Sequence, residues 1–377
     1  MNSNNSSIIS DLLQFMRPNL LKSIGSLALI DPQQIACGVT DSEGRLIACD
    51  NLTRNGNLQD TCGIIREYFG ENMHGGDIVI TNDPYSGGTR IQDLFGLTPV
   101  EIPGGGMAYI LASLPLPDLG GMALGGNYPK AQEIWAEGVR VTPVKLCRRG
   151  ALQTDALAML TLNSRLPHLV ENDAGSLCST LEESALRLLE GLKKFPGLFP
   201  EFQKENELRR NYLQERIQDF PQETLQGTSE SIHQCLGDFD LSVKVKLSKK
   251  DKTLELDFTG SSEQSLGFIN STASTTSSVA ISGIIHALGI DIGSTSGITD
   301  LFEIKIPENS FLNAQLPVSV GWSVYQPTIG ILQAIYSALG KSNLQYEEVF
   351  PKPPELPFRI KGCGERGCTF TSEDPPK

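Results

Sequence analysis

The stretch Gly76-Asp-Ile-Val-Ile-Thr-Asn-Asp-Pro-Tyr-Ser-Gly-Gly-Thr-Arg-Ile-Gln-Asp93 decides how this chain is read. Asp77 to Asn82 is a short, apolar, β-branched run, which predicts a buried strand. Asn82-Asp83-Pro84 and Gly87-Gly88 then predict a turn at the strand's end. Without a Cβ, Gly87 and Gly88 let the backbone bend sharply or approach a ligand. Asp83 and Asp93 bring carboxylates to this turn, and Asn82 and Arg90 add further polar groups. The plainer reading, which local features favour, is a loop whose aspartates cap their own backbone.

A second segment of the same design lies downstream. Met107 to Leu114 (MAYILASL) predicts another apolar strand, and it feeds Leu114-Pro-Leu-Pro-Asp-Leu-Gly-Gly121. Asp118, Gly120 and Gly121 are either a wall facing the first turn or a simple connector. Between the two, Glu101 to Met107 (EIPGGGM) lacks the Lys-Ser/Thr of a phosphate loop and predicts a hairpin turn. Glu137-Gly-Val-Arg140 and Lys145 follow, either holding an anion or forming surface ion pairs worth about 0–1 kcal/mol each. Asp257 to Ser262, with Asn270, reads equally as a substrate contact or a hairpin exit.

The remaining pattern sets the architecture. Ile8 to Leu29 has helical spacing, with Pro18 placed to kink it. Ile35 to Asp41 and Arg45 to Asp50 flank a turn and predict a hairpin. Thr180 to Lys194 predicts a helix, with Ser179 and Glu182 as a capping box. Glu201 to Asp219 predicts a charged helix with a solvated face. Leu241 to Leu247 and Thr253 to Thr259 alternate cleanly, an antiparallel hairpin with one wet face. Ser278 to Gly293 predicts a buried helix, and Thr328 to Leu339 another, with Gly340 as its C-cap. The fold class is therefore mixed α/β (α+β): mixed sheets with Gly-rich strand-end loops, flanking helices and an antiparallel hairpin. Composition suggests domains at 1–165 and 166–350, with a Pro/Gly-rich tail at 351–377 that is poorly ordered unless a partner holds it.

Composition narrows the functions. With 377 residues, 39% hydrophobic, the chain can bury one large core or two moderate ones. A net charge of −13 repels phosphate backbones and argues against nucleic-acid binding. No stretch reads as a membrane span or a signal peptide. Eight cysteines without a CxxC pair fit buried thiols in a reducing cytoplasm rather than a disulfide framework. Cys363 and Cys368 lack the further ligands of a zinc site.

Eight segments in order resemble the hydantoinase B/oxoprolinase family. They are ACGVTDSEGRLIA (36–48), GDIVITNDPYSGGTRIQD (76–93), LTPV (97–100), PDLGG (117–121), EIWAEGVRVTPVKL (133–146), LNSRLP (162–167), LELDFTGSSEQSLGFIN (254–270) and IKIPENSFLN (304–313). The resemblance implies a B-type subunit that opens a cyclic amide activated by a kinase-like, ATP-using A-type partner. Asp83, Asp93 and Asp118 are then the catalytic candidates. Asn82, Gly87, Gly88, Arg90, Gly120, Gly121, Glu137 and Arg140 are the substrate-binding candidates. ATP enters only through the partner.

The resemblance also implies a divalent metal, held by Asp and His in segments matching 34, 90, 93 and 115–116. This chain has Gln34, Arg90, Asp93, Pro115 and Leu116 there. Only Asp93 keeps a ligand, and a guanidinium cannot become one. The expectation is an absent or weakly bound metal, with an Arg90–Asp93 or Arg90–Asp83 ion pair in its space. Family members also run on beyond the segment matching Thr328 to Leu339, so the remainder is expected to be dispensable, supplied by another chain, or lost with activity. A non-catalytic scaffold and a carboxylase subunit are the competing functions.

Overall fold

The computed structural model describes residues 7–233, 239–290 and 298–340, together with the backbone of strands at Arg359–Gly364 and Gly367–Thr371. Most of the expected tail, including the side chains of Cys363 and Cys368, lies outside the described residues, as does the end of the helix expected to reach Gly293.

Helix α1 (Ser7–Ser23) passes through Pro18 and stops short of the expected Leu29. Past its end the Gly25 N–H and the Ser26 hydroxyl both donate to buried Asp173, which draws the chain out of the helix. Strands β1 (Ala36–Thr40) and β2 (Leu46–Cys49) form the expected hairpin. Asp41 holds its turn by accepting from the backbone N–H groups of Glu43 and Arg45, each at 2.9 Å. After α2 (Asn55–Phe69) comes the expected strand β3 (Ile78–Thr81). Strands β4 (Asp93–Glu101) and β5 (Met107–Pro115) then pair around the glycine-rich turn.

Adding β6 (Val144–Arg148) and β7 (Ala151–Leu152) gives a seven-stranded antiparallel sheet in the order β2-β1-β5-β4-β3-β6-β7. Its side chains alternate between two faces. Cys37, Val39, Ile78, Ile80, Ile110 and Ala112 face a core shared with α1. Ala36, Val79, Phe95, Leu97 and Leu111 face Leu58, Cys62 and Ile65 of α2.

Short α3 (Thr154–Thr161) leads to α4 (Pro167–Lys194), which corrects the expected capping box. Ser179 sits in mid-helix, where its hydroxyl donates to Ser176 O at 3.1 Å. Val170, Ala174 and Leu177 extend the apolar stripe of Leu181 and Leu188 upstream, and all five are buried in the first core. Packing on the sheet therefore carries the helix back to Pro167. Helix α4, beyond the expected division at residue 165, shares the first core with the sheet it covers; along α5 (Leu198–Gln218), Phe202 joins the first core and Leu213 the second.

The second sheet has the order β11-β10-β9-β8, from β8 (Leu225–His233), β9 (Phe239–Lys250), β10 (Thr253–Asp257) and β11 (Phe302–Lys305). The β9–β10 pair is the expected hairpin, with Leu256 opposite Leu247, while β10 and β11 run parallel. Helices α6 (Ala273–Ala287) and α7 (Gln326–Gly340) complete this core. Gly227 of β8 lets α7 close onto the sheet, since a Cβ there would lie 1.9 Å from Ala334 O. Helix α6 also packs on α2, so the start of α2 lies between the two cores.

Candidate functional site

The expected turn forms at the end of β3. Asp83 caps it, accepting from Tyr85 N at 3.1 Å and the Ser86 hydroxyl at 2.8 Å. Its second oxygen also takes Arg140 Nη2 at 2.6 Å, although Asp83 itself is fully buried. Asn82 ties three segments together. Its Nδ2 donates to Ile91 O at 2.8 Å and Val139 O at 2.9 Å, and its Oδ1 accepts from Val141 N at 2.6 Å. Gly87 has φ +89°, and a Cβ there would meet Thr61 N of α2 at 2.5 Å, so the turn presses on that helix. Gly88 likewise faces Asp83 O.

The second glycine turn joins the first through the 137–141 segment. Asp118 is buried and accepts from Arg165 N at 2.7 Å, Gly125 N at 3.0 Å, Gly120 N at 3.1 Å and Arg165 Nη1 at 3.0 Å. Burial works against its charge, but these donors outweigh it and hold the carboxyl below its ordinary range. Gly121 has φ +77° and packs within 2.5 Å of the Glu137 backbone, counted from where a Cβ would stand. Gly120 faces Asn163 O, and Gln92 Nε2 donates to Glu137 O at 3.1 Å. The four glycines and Asp118 thus pack this protein's own backbone.

Arg90 and Asp93 lie at the centre. Arg90 Nε donates to both Asp93 oxygens at 3.1 Å, and the Thr89 hydroxyl donates to Oδ2 at 2.5 Å. Arg90 Nη1 also reaches Tyr325 OH at 3.3 Å, with the guanidinium over the Tyr325 ring. Burial disfavours the Arg90 charge, yet Asp93 more than offsets this and its pKa rises. Of the two expected pairs, Arg90–Asp93 forms, while Asp83 pairs with Arg140. Gln34 accepts from buried Arg54.

Glu137 differs from the three aspartates. It is fully buried, and its Oε1 accepts from Val320 N at 2.7 Å, Gly321 N at 2.6 Å and the Ser319 hydroxyl. Its Oε2 has no hydrogen-bond partner among the described residues. Burial raises the carboxyl to about 7, against the opposing pull of these donors and of Arg90.

The sequence reading missed Arg54, Arg165 and the Ser319–Tyr325 segment. That segment supplies Glu137's donors, Tyr325, and Ser323, whose hydroxyl donates to Thr89 O at 2.7 Å. No local signal marks it, since its role exists only where the second core meets the first.

The donors do not suit a divalent cation. At the positions the resemblance assigns to metal ligands, Asp93 is engaged by a guanidinium and a hydroxyl, and Pro115 and Leu116 offer no side-chain donor. Among the described residues, no group of three His, Cys, Asp or Glu side chains is arranged to hold a metal.

Fold and site together define a mixed α/β chain with a buried polar cluster between two cores. The chain belongs to the hydantoinase B/oxoprolinase family, whose sequence profile matches residues 7–349. It is 26% identical over 270 residues to the caprolactamase subunit beta of Pseudomonas jessenii, a match covering 70% of this chain and 45% of that one. The crystal structure of the ATP-dependent caprolactamase from P. jessenii shares the fold, with a TM-score of 0.82, 21% identity, and coverage of 91% of this chain and 60% of that one. Nucleotide-free acetone carboxylase shares it with a TM-score of 0.77 at 16% identity, over 91% of this chain and 48% of that one. The chain spans about half the length, or less, of the curated relatives it matches. No helix among the described residues is long and apolar enough to cross a membrane.

Proposed function

We propose that this chain is the B-type subunit of an ATP-dependent cyclic-amide hydrolase, acting on a ring amide that a kinase-like A-type partner activates. The names of its relatives, caprolactamase subunit beta and 5-oxoprolinase, support that class of substrate. The observation that carries the reading is the half-satisfied carboxyl of Glu137. With Oε1 fixed by three donors, Oε2 is oriented and, among the described residues, unpartnered, at a pKa near neutrality. A carboxyl in that state accepts a proton from an attacking water and returns it to the leaving nitrogen. Arg90, held in place by Asp93, stabilises negative charge developing beside it. Asp83, Asp93 and Asp118 become positioning residues, each occupied by an arginine. No step runs through a metal. Among the described residues five free thiols are buried, which suits a reducing, cytoplasmic setting.

A second reading, a scaffold without chemistry, draws on the Arg90–Asp93 pair in the place of metal ligands. Substrate-dependent ATP turnover of the complex with its A-type partner separates the two. The hydrolase reading expects Glu137→Gln to lower kcat by about 10²–10⁴ with the complex intact. Unchanged turnover in that variant supports the scaffold.

A further inference from the structure

Arg54 stands out among the buried charges. It directly precedes α2, is 3% exposed, and donates to neutral oxygens: Thr53 O at 3.2 Å and Gln34 Oε1. Among the described residues it enters no ion pair. The anion acting on it most strongly is Asp93, already engaged by Thr89 and Arg90. Asp31, a weaker influence on it, is occupied by Gln33 N and Gln34 Nε2. Glu137 spends its charged-form hydrogen bonds on 319–321. Burial and the like charge of Arg90 pull Arg54 down to about 10.

Next to Arg54, Asn55 opens α2. It is 1% exposed, and neither its Nδ2 nor its Oδ1 has a partner among the described residues. No side chain caps this helix end, whose N–H groups add positive potential. Two guanidiniums therefore feel one carboxylate that pairs with Arg90, in a desolvated place, an arrangement that is costly unless an anion completes it. Paired arginines with a carboxamide donor match the geometry of carboxylate and phosphoryl oxygens.

We infer that Arg54 and Arg90, with Asn55 beside them, form a binding site for a small oxyanion, a carboxylate or a phosphoryl group. The site shares Arg90 with the reaction proposed above, but its test stands apart from that reading, because anion binding to the chain requires neither turnover nor partner.

Calorimetric titration and thermal unfolding of the full chain, with sodium phosphate and sodium acetate against sodium chloride at constant ionic strength, test it. One of the two anions should bind at a single site and raise the Tm above the chloride value. Phosphate alone would mark a phosphoryl site, and acetate a carboxylate site. Arg54→Met should weaken that binding about tenfold or more. Should Arg54→Met fail to fold, Asn55→Asp serves instead. Its built-in carboxylate should raise the Tm in chloride and abolish the anion response. Neither anion acting beyond chloride, or either folded variant responding as the wild type does, overturns the inference.

Discussion

Arg90 Nε stands 3.1 Å from each oxygen of Asp93, with both side chains at most 5% exposed. The pair occupies the one position where the resemblance implies that a metal ligand is kept. The carboxylate there already carries a cation of the protein's own, the Arg90 guanidinium. Tyr325 and Ser323, from the segment before α7, close over it, so the pair also fastens the second core to the first.

Removing one partner leaves the other charged and buried. Asp93→Ala should therefore cost about 3–5 kcal/mol in chemical denaturation. The double variant Arg90→Met/Asp93→Leu should recover most of that loss, because it removes both charges. A loss below about 1 kcal/mol in Asp93→Ala would show that the pair is solvated.

Glu137 gives the stability a definite pH dependence. The folded state holds this proton to about 7, above the ordinary value of 4.5, so folding is favoured most when both states carry it. Its contribution should decline as pH rises from about 4.5 to 7, by roughly 3 kcal/mol in all. Glu137→Gln should flatten the stability profile across that window. An identical slope in wild type and variant would remove Glu137 as its source.

Gly227 tests the second core. A Cβ would lie 1.9 Å from Ala334 O and 2.6 Å from Ala338 N, both rigid helix backbone. Gly227→Ala should cost about 1–3 kcal/mol, at the upper end because no side chain can move aside. A melting temperature equal to wild type would mean that α7 sits farther from β8.

Much of the fold could be read from local pattern. The β3 strand, the β1–β2 and β9–β10 hairpins and the glycine-rich turn between β4 and β5 follow from apolar runs and turn residues, and the structure has them. Strand β4 was not legible, because Gly96 and Pro99 argue against a strand. Both have tertiary explanations. Leu177 and Leu181 of α4 crowd Gly96, and β3 pairs no farther along β4 than Leu97, so Pro99 interrupts no ladder on that side. The apparent cap at Ser179 misled because nothing local shows that the sheet extends the helix upstream.

The site was half legible. The polar residues of the two turns were visible, but not their partners. Asp83 and Arg140 are 57 residues apart, and Glu137 and its donors are 182–184 apart. Whether a carboxylate is free or engaged depends on contacts at that range, so sequence could nominate three aspartates without showing that each is held by an arginine. Glu137, read either as a substrate-binding candidate or as one charge in a surface cluster, is a buried carboxyl with one oxygen unpartnered among the described residues.

Metal content measures the central claim most directly. The full chain would be equilibrated with Mn²⁺ or Zn²⁺, desalted and analysed by elemental mass spectrometry. A centre filled by Arg90 and Arg54 should retain far less than one metal ion per chain, in the wild type and in Asp93→Asn alike. One equivalent retained by the wild type and lost in Asp93→Asn would contradict the account.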